Sequence, residues 1–290
     1  MVVARESMRS VVHVLSMFRN NEPYIRDVYI PTMRGCERRH PHTEFVYHIV
    51  ENDSTDRTRE LLWEFVGARN DRSMLYLEKP LECEYVNKPS GKNYSRITVL
   101  ANIRNTLVDR ASELMRNGEW ALFVDSHIHF KEDTLERLLA CEPKVHGYGV
   151  LIPYTQQLLI PSVHRVTRPT LKSHYYDTYA FYNKEWQSYW PYCGFVKCDI
   201  CDPVQHPLRK PIPPPRNEHE ITEIASGFGG FCLIRTEVLM DKRCRWSTIN
   251  YDCVGDEGTC EHALFFKLVQ ALTDYKVGIV QSIDDVYRTY

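Results

Sequence analysis

The feature that most constrains this chain is an apolar run that stops abruptly at a polar triplet. Residues 120–124 are all apolar, and Asp125, Ser126 and His127 follow them directly. A short run of this composition is typical of a strand that is buried on both faces, as in parallel α/β sheets. Ligands of open α/β sheets collect beyond the carboxyl ends of such strands. The sequence therefore predicts a binding site at Asp125.

Two earlier apolar runs alternate with helical patterns. Residues 11–16 and 45–50 are predicted strands, and the polar residues 51–56 follow the second of them. Apolar side chains recur at helical spacing over residues 95–116, which predicts a long helix ahead of the Asp125 strand. This alternation predicts an α/β fold with a mixed, mostly parallel central sheet flanked by helices. Further strands are predicted at residues 74–77, 149–152, 175–182, 230–234 and 277–280, and further helices after an Asp53 or Ser54 cap, near residue 236 and over 257–274.

The composition limits how many domains the chain can form and which classes of partner it can bind. The 290 residues, 43% of them hydrophobic, suffice for one domain with a substantial core. A formal charge of −2 from 36 basic and 38 acidic residues provides no overall field for nucleic acid or an anionic membrane, so any phosphate binding must be local. The sequence has no leader-like apolar segment and no apolar run of about 18 residues, so we expect a soluble, cytoplasmic protein without a membrane span.

The ten cysteines are expected to be reduced thiols, because disulfides are rare in the cytoplasm. Cys193, Cys198 and Cys201 lie close together in the sequence. A zinc site there is the less favoured alternative, since a convincing second pair of ligands is missing.

Asp125 and His127 form the candidate metal site. Alternate residues of an extended chain project to the same side, where a carboxylate and an imidazole could share a divalent ion. This pair of ligands suits Mn²⁺ best, with Mg²⁺ as the second choice. An ordinary strand end is the alternative that stays open, because the spacing alone only permits a metal ion.

Two segments resemble the nucleotide-binding motifs of family 2 glycosyltransferases. Residues 49–58 resemble the strand end that holds the base and ribose in that family, with Glu51 and Asn52 in place of two aspartates. Residues 123–127 resemble the Asp-x-Asp element, with histidine in the last position. The helix ahead of this element carries Arg104 and an asparagine, which resemble the Arg-Asn pair of the family.

Two later segments continue the resemblance in the same order. Residues 226–231 resemble the Gly-Gly-Phe element on the acceptor side, and residues 255–262 resemble the Glu-Asp element that supplies the catalytic base in inverting members. Residues 175–180 are also similar to a segment of fungal capsule-associated mannosyltransferases and of glycosyltransferases encoded by large algal viruses, so a viral origin is expected.

The resemblance implies the nucleotide-diphospho-sugar transferase fold called GT-A. It implies a single domain, with a nucleotide-sugar-binding half at residues 1–130 and an acceptor-binding half at residues 131–290. The implied sugar-donor-binding residues are Ser16, Arg19, Glu51, Asn52, Arg104, Asp125 and Ser126. The implied acceptor-binding residues are Gly229, Gly230 and Phe231, the candidate bases are Glu257 and Asp256, and the candidate metal ligands are Asp125, His127 and His262.

Structural alternatives stay open for several of these residues. Arg104 could be a solvated or internally paired helix arginine. Asp256 and Glu257 could be acidic only because acidic residues favour the first turn of a helix. His262 could be structural, as most helix histidines are.

The implied function is metal-dependent transfer of a sugar from a nucleotide diphosphate donor, UDP-linked first, to a hydroxyl of a glycan or glycoprotein. Inversion of configuration is expected, and the enzyme would be a hexosyl- or pentosyltransferase. One alternative is a sugar-phosphate nucleotidyltransferase, although the segment after the first predicted strand lacks the glycine-rich basic loop of that class. A non-catalytic glycan-binding module is the other alternative.

Overall fold

A computed structural model describes most of the chain. The described residues are 10–69, 71–78, 94–157, 174–175, 177, 180–186, 216–247 and 260–288. The strands are β1 (Ser10–Phe18), β2 (Thr43–Asn52), β3 (Met74–Glu78), β4 (Trp120–Asp125), β5 (Ile128–His129), β6 (Tyr148–Pro153), β7 (Gln156–Gln157), β8 (His174–Tyr175), β9 (Tyr182–Asn183), β10 (Ile221–Ser226), β11 (Phe231–Arg235), β12 (Lys276–Val280) and β13 (Tyr287–Arg288). The helices are α1 (Glu22–Tyr24), a π-helical turn (Ile25–Tyr29), α2 (Ile30–Arg39), α3 (Thr58–Gly67), α4 (Tyr94–Ser112), α5 (Thr134–Ala140), α6 (Thr236–Met240) and α7 (Glu261–Leu272).

Nine of the strands form one mixed sheet in the order β3-β2-β1-β4-β11-β6-β12-β10-β9. Strands β3, β2, β1 and β4 run parallel to one another, and β6 runs parallel to β12. Strand β11 is antiparallel to both of its neighbours, and so is β10. The predicted mixed, mostly parallel α/β sheet is therefore confirmed.

Parallel pairing brings the ends of three predicted strands to one edge of this sheet. Met17 of β1 is opposite Asp125 of β4, and Phe18 is opposite Glu51 of β2. Because β1, β2 and β4 run in the same direction, the polar residues that follow them lie along the same carboxyl edge. This edge is where the sequence predicts the site.

The core has one layer on each face of the large sheet. Leu122 and Val124 belong to the layer that packs under α2, α3 and α5. Ala121 and Phe123 belong to the opposite layer, which packs under α4, α6 and α7. Strand β4 is therefore buried on both faces, as predicted, and full burial of Phe123 stabilises the fold by about 1.5–3 kcal/mol relative to an exposed ring.

The helical stretch Glu22 to Arg39 was not predicted. Pro23 and Pro31 fall within it, but each occupies the first turn of a helical segment, where a missing N–H costs little. The π-helical turn between them shifts the apolar period, which hides the helix from a search at 3.6 residues per turn. The preceding polar turn, predicted over residues 19–23, therefore gives way to helix at Glu22.

Two helix boundaries in the first half of the chain differ from the predictions, and one strand of the second half was not predicted. Helix α3 begins at Thr58, so neither Asp53 nor Ser54 caps it; the nearby Asp56 Oδ1 accepts from the Thr58 N–H instead. The long helix ends at Ser112 rather than at residue 116. Strand β10 was missed because its first half is only partly buried and lacks an apolar run.

A second sheet of four short strands, in the order β5-β13-β7-β8, flanks the carboxyl edge. Arg288 of β13 is opposite Ile128 of β5, next to the polar triplet. Within the described ranges, no helix has both the length and the apolarity needed to span a bilayer. Five described cysteines are buried and free, namely Cys36, Cys141, Cys232, Cys244 and Cys260.

Candidate active site

A glycine turn lies directly against the end of β4. The Asp125 N–H donates to the Gly230 carbonyl oxygen at 2.8 Å, and the antiparallel pairing of β11 with β4 starts beyond this bond. Gly229 and Gly230 have φ values of +64° and +71°. A Cβ added at Gly230 would lie 2.6 Å from Ile128 Cδ1 and 3.6 Å from Asp125 Cβ. Position 230 therefore favours glycine, because its backbone is left-handed and a side chain there would overlap Ile128.

Asp125 and His127 do not project to the same side of an extended chain. Strand β4 ends at Asp125, and His127 has a φ of +63°, in the left-handed region. The alternation rule applies only within a strand, so the predicted geometry fails at the turn. His127 Nε2 instead lies 2.8 Å from the amide nitrogen of Asn21, which was not among the predicted site residues.

Asn21 fixes the tautomer of His127. The Asn21 Oδ1 accepts from the Arg19 N–H at 3.1 Å, so its Nδ2 is the atom that donates to His127 Nε2. In the neutral imidazole the proton is then on Nδ1. Burial lowers the pKa of His127, and the positive charge of Arg288 and the nearby His129 lower it further.

Arg104 joins two carboxylates at the carboxyl edge. Its Nη1 donates to Glu261 Oε1 at 2.7 Å, and its Nη2 donates to Asp125 Oδ2 at 3.2 Å. The side chain is only 3% exposed, and its guanidinium lies 5.1 Å from the Phe228 ring centroid. The internally paired alternative is therefore the arrangement observed, and Arg104 connects the end of β4 to the start of α7.

His262 follows Glu261 and is held in a network of its own. The Trp246 indole N–H donates to His262 Nδ1 at 3.1 Å, and the imidazole stacks on Phe228 with 4.0 Å between ring centroids. Asn105 holds the Trp246 backbone through an accepted bond of 3.0 Å and a donated bond of 2.7 Å. Burial and the charge of Arg104 keep the pKa of His262 well below its usual range, so the imidazole is neutral.

The predicted metal ligands do not form one cluster. In the part of the chain that the structure describes, no three or more His, Cys, Asp and Glu side chains are grouped so that they could hold a metal ion. Asp125 keeps a 28% exposed carboxylate, an oxygen ligand that Mn²⁺ and Mg²⁺ accept. His127 Nε2 is taken by Asn21 and His262 Nδ1 by Trp246. The described geometry thus fits metal ligation by Asp125 and does not fit a three-residue shell.

Glu51 and Asn52 end strand β2, where the base and ribose are expected. Glu51 is fully buried, and its carboxylate accepts from the Ser54 N–H at 2.6 Å and from Arg59 Nε at 2.8 Å. Asn52 is also buried, and its Oδ1 has no hydrogen-bond partner among the described residues. A buried acceptor without a partner is costly, so Asn52 Oδ1 has the position and the need to accept from a ligand.

The other predicted residues near this edge have mainly local contacts. Ser16 is buried, and its hydroxyl bonds to the Tyr29 hydroxyl at 3.0 Å. The Arg19 side chain is exposed. Ser126 lies in the turn after β4, and Phe231 is fully buried at the start of β11.

Several predicted residues lie outside the described ranges. They are Asp256, Glu257, Cys193, Cys198 and Cys201. The described part of the final helix begins at Glu261, and this residue was missed because the helix start was predicted at 257. Counting the helical period backwards from Phe265 and Phe266 would have indicated a first turn at Glu261.

No protein-family model and no curated protein significantly matches this chain. Among solved structures, 96% of the chain aligns with the UDP complex of residues 1–349 of S. aureus TarS, at a TM-score of 0.50 and 16% identity. The chain has the GT-A fold. It spans 60% of that TarS structure.

Two further structures align at lower TM-scores. Glucosyl-3-phosphoglycerate synthase from Mycobacterium tuberculosis, in complex with Mg²⁺ and UDP, aligns over 97% of this chain and 72% of its own at 12% identity and a TM-score of 0.44. The mannosyltransferase PcManGT from Pyrobaculum calidifontis, in complex with GDP-Man and Mn²⁺, aligns over 51% and 36% at 19% identity and a TM-score of 0.33. The fold assignment rests on the TarS alignment.

Proposed function

We propose that this protein is a glycosyltransferase that moves a sugar from a nucleotide diphosphate donor to a hydroxyl of a glycan or glycoprotein. The observation that carries the proposal is the buried Arg104, which holds Asp125 at the end of β4 and Glu261 at the start of α7. Two carboxylates are thereby fixed at the carboxyl edge of a GT-A sheet, beside a turn of two glycines. Buried charges of this kind are costly and recur where chemistry needs them.

The nucleotide binds at the ends of β1 and β2 in this proposal. Asn52 Oδ1, buried and without a partner in the described ranges, accepts from an N–H of the base. UDP-sugars are the first choice of donor. Residues 1–130 would then form the sugar-donor half and residues 131–290 the acceptor half, with Arg104 linking the two through Glu261.

The proposed cofactor is Mn²⁺, with Mg²⁺ second, held through the Asp125 carboxylate. When bound, such an ion neutralises the charge of the diphosphate. Arg104 holds the Asp125 carboxylate in place through a hydrogen bond, instead of binding the donor itself as the resemblance implies. The neutral His127 Nδ1–H is oriented by Asn21 and can donate to an anionic oxygen.

On the acceptor side, the absent side chains at Gly229 and Gly230 allow a sugar hydroxyl to approach the backbone. A carboxylate must take the hydroxyl proton as the oxygen attacks the anomeric carbon opposite the leaving diphosphate, which inverts the configuration. Asp256 and Glu257 are proposed for this role from the family resemblance. Hexosyl and pentosyl donors are both compatible with this scheme.

The test is a panel of nucleotide sugars, with and without Mn²⁺, in which nucleoside diphosphate release and donor binding are measured. We expect at least one UDP-sugar to bind and to be hydrolysed slowly. A nucleotidyltransferase would instead exchange pyrophosphate with a nucleoside triphosphate, and a glycan-binding module would bind glycans without any donor turnover. If no donor binds or is hydrolysed, the proposal is wrong.

A further inference from the structure

Asp177 lies beside the glycine turn and has no role in the scheme above. Its Oδ2 accepts from the Gly229 N–H at 3.1 Å. The Ala180 N–H donates to the Asp177 carbonyl oxygen at 3.2 Å, and the Ser226 hydroxyl donates to the Ala180 carbonyl oxygen at 2.6 Å. The backbone turn that carries Asp177 is thus tied to the end of β10, three residues before Gly229.

The same turn packs against the start of α7. Ala180 is fully buried and forms a small apolar cluster with Cys260 and Ala263. Asp177 is therefore held between the glycine turn and the helix terminus that carries Glu261. The charges of Asp125 and Glu261, which both pair with Arg104, act on Asp177 at this edge.

The three carboxylates differ in their hydrogen-bond partners. Asp125 and Glu261 each receive a charged N–H of Arg104. Asp177 receives the neutral amide of Gly229. Asp177 is thus held by a neutral N–H donor, whereas the other two carboxylates share the guanidinium of Arg104.

Among the described residues, the titratable groups that face Asp177 are Asp125 on β4, Arg104 on α4, Glu261 on α7 and the buried Cys260 thiol just before α7. Burial raises the pKa of Asp177 to about 7, the Gly229 N–H opposes this rise, Glu261 and Asp125 add to it, and Arg104 opposes it. A carboxyl that titrates near neutral pH is suited to taking up and releasing a proton in each turnover.

Resting on the proposed function, we propose that Asp177, in place of Asp256 or Glu257, is the base that deprotonates the acceptor hydroxyl at the Gly229–Gly230 turn. The hydroxyl oxygen forms its bond to the anomeric carbon, and its proton passes to the Asp177 carboxylate. The bond from the anomeric carbon to the diphosphate oxygen breaks, and the diphosphate leaves with that electron pair. Asp177 then returns its proton to water.

The experiment compares wild type with Asp177→Asn in donor hydrolysis, with Mn²⁺ present and water as the acceptor. Asparagine keeps the shape of the side chain, and its Oδ1 can still accept from the Gly229 N–H. We expect kcat to fall by about 100-fold or more with little change in the donor KM, since a general base contributes about 10²–10⁴-fold. Wild-type kcat/KM should rise with pH as Asp177 ionises, and this rise should disappear in the variant. The matched control is Asp27→Asn, which removes an exposed carboxylate from the π-helical turn and should change none of these values.

The unfolding temperature shows whether Asp177→Asn loses activity because the base is missing or because the variant is unstable. Because burial disfavours the ionised carboxyl, Asp177→Asn should unfold at the same or a higher temperature than wild type at pH 8. Full activity of this variant, an unchanged pH profile, or a wild-type profile that does not rise with pH would overturn the proposal. The last result can be obtained even if the variant does not fold. Wild type that binds and hydrolyses no donor would instead refute the proposed function itself, and the role of Asp177 with it.

Discussion

Two of the polar clusters that the described residues bury against the large sheet differ in charge and in position. At the carboxyl edge, Arg104 pairs with Asp125 and Glu261. Within the strands, His13 and His48 stack with 5.3 Å between ring centroids, and His13 Nδ1 lies 3.0 Å from His48 Nε2. The first cluster joins a strand end to two helices, whereas the second lies mostly within two neighbouring strands.

The two histidines of this cluster are neutral, and their ring nitrogens are hydrogen-bonded. His13 Nε2 bonds to Glu119 at 2.9 Å, and His48 Nδ1 lies 3.4 Å from the Tyr76 hydroxyl. Burial lowers the pKa of His48 to about 3, with His13 and Arg72 adding to the effect, and burial also lowers the pKa of His13. Burying neutral, hydrogen-bonded imidazoles costs little free energy, whereas buried charges are retained at a cost. The comparison thus separates a structural cluster from one that we assign to function.

The largest effect is expected from Arg104→Met. The change leaves the Asp125 and Glu261 carboxylates without their shared cation, and breaking a buried ion pair in this way costs about 3–5 kcal/mol. Urea unfolding at pH 7 measures this loss. The control is Arg26→Met, which removes a surface pair with Asp27 and should cost less than about 1 kcal/mol. Equal losses of unfolding free energy in the two variants would mean that the charged cluster stabilises the fold no more than a surface ion pair does.

Gly230→Ala tests the packing beside the charged cluster. Its Cβ meets Ile128 in a residue with positive φ, so we expect a loss of about 2–4 kcal/mol of unfolding free energy, from backbone strain and overpacking together. The matched control is Gly118→Ala, where φ is +97° but nothing lies within 4 Å of the added Cβ. Chemical denaturation should show a smaller loss there. If the two losses are the same, the close approach at Gly230 contributes nothing.

The histidine cluster should appear in the pH dependence of stability. The folded-state pKa of His48 is lowered, so the unfolded chain binds the proton first as pH falls below about 6.5. Stability is therefore fully present above that pH and is lost towards pH 3, with this residue contributing a slope of up to about 1.4 kcal/mol per pH unit. In urea unfolding at pH 4 to 7, His48→Gln should flatten the slope relative to wild type. His219→Gln, at an exposed position, should leave it unchanged. A wild-type slope in the His48 variant would contradict the prediction.

The two clusters also show which features the sequence could predict. The strand end at Asp125 and the glycine pair at 229–230 are local signals. An apolar run that stops marks the end of a strand, and a pair of glycines permits a left-handed turn. The bond from Arg104 to Glu261 spans 157 positions and depends on how α4 packs beside α7. No local pattern carries such information.

The sequence misplaced His127 and missed Asp177, and each error has a physical reason. His127 was expected to follow the alternation of a strand, but the strand ends at Asp125 and the next turn moves into the left-handed region. Asp177 falls within residues 175–182, which were predicted as a strand, but the Ala180 N–H donates to the Asp177 carbonyl oxygen in a turn, and only the three-dimensional contact with Gly229 reveals the role of Asp177. Predictions from sequence were reliable where one element determined the outcome and failed where three elements met.

The central claim is that the charged cluster serves transfer from a nucleotide sugar. The most direct measurement is nucleoside diphosphate release from the best donor by wild type and by Asp125→Asn, with Mn²⁺ at saturation and folding checked by circular dichroism. We expect the folded variant to release diphosphate at least about 100-fold more slowly than wild type, the size of effect expected when charge stabilisation at the reacting group is removed. A folded Asp125→Asn protein that releases diphosphate at the wild-type rate would contradict it.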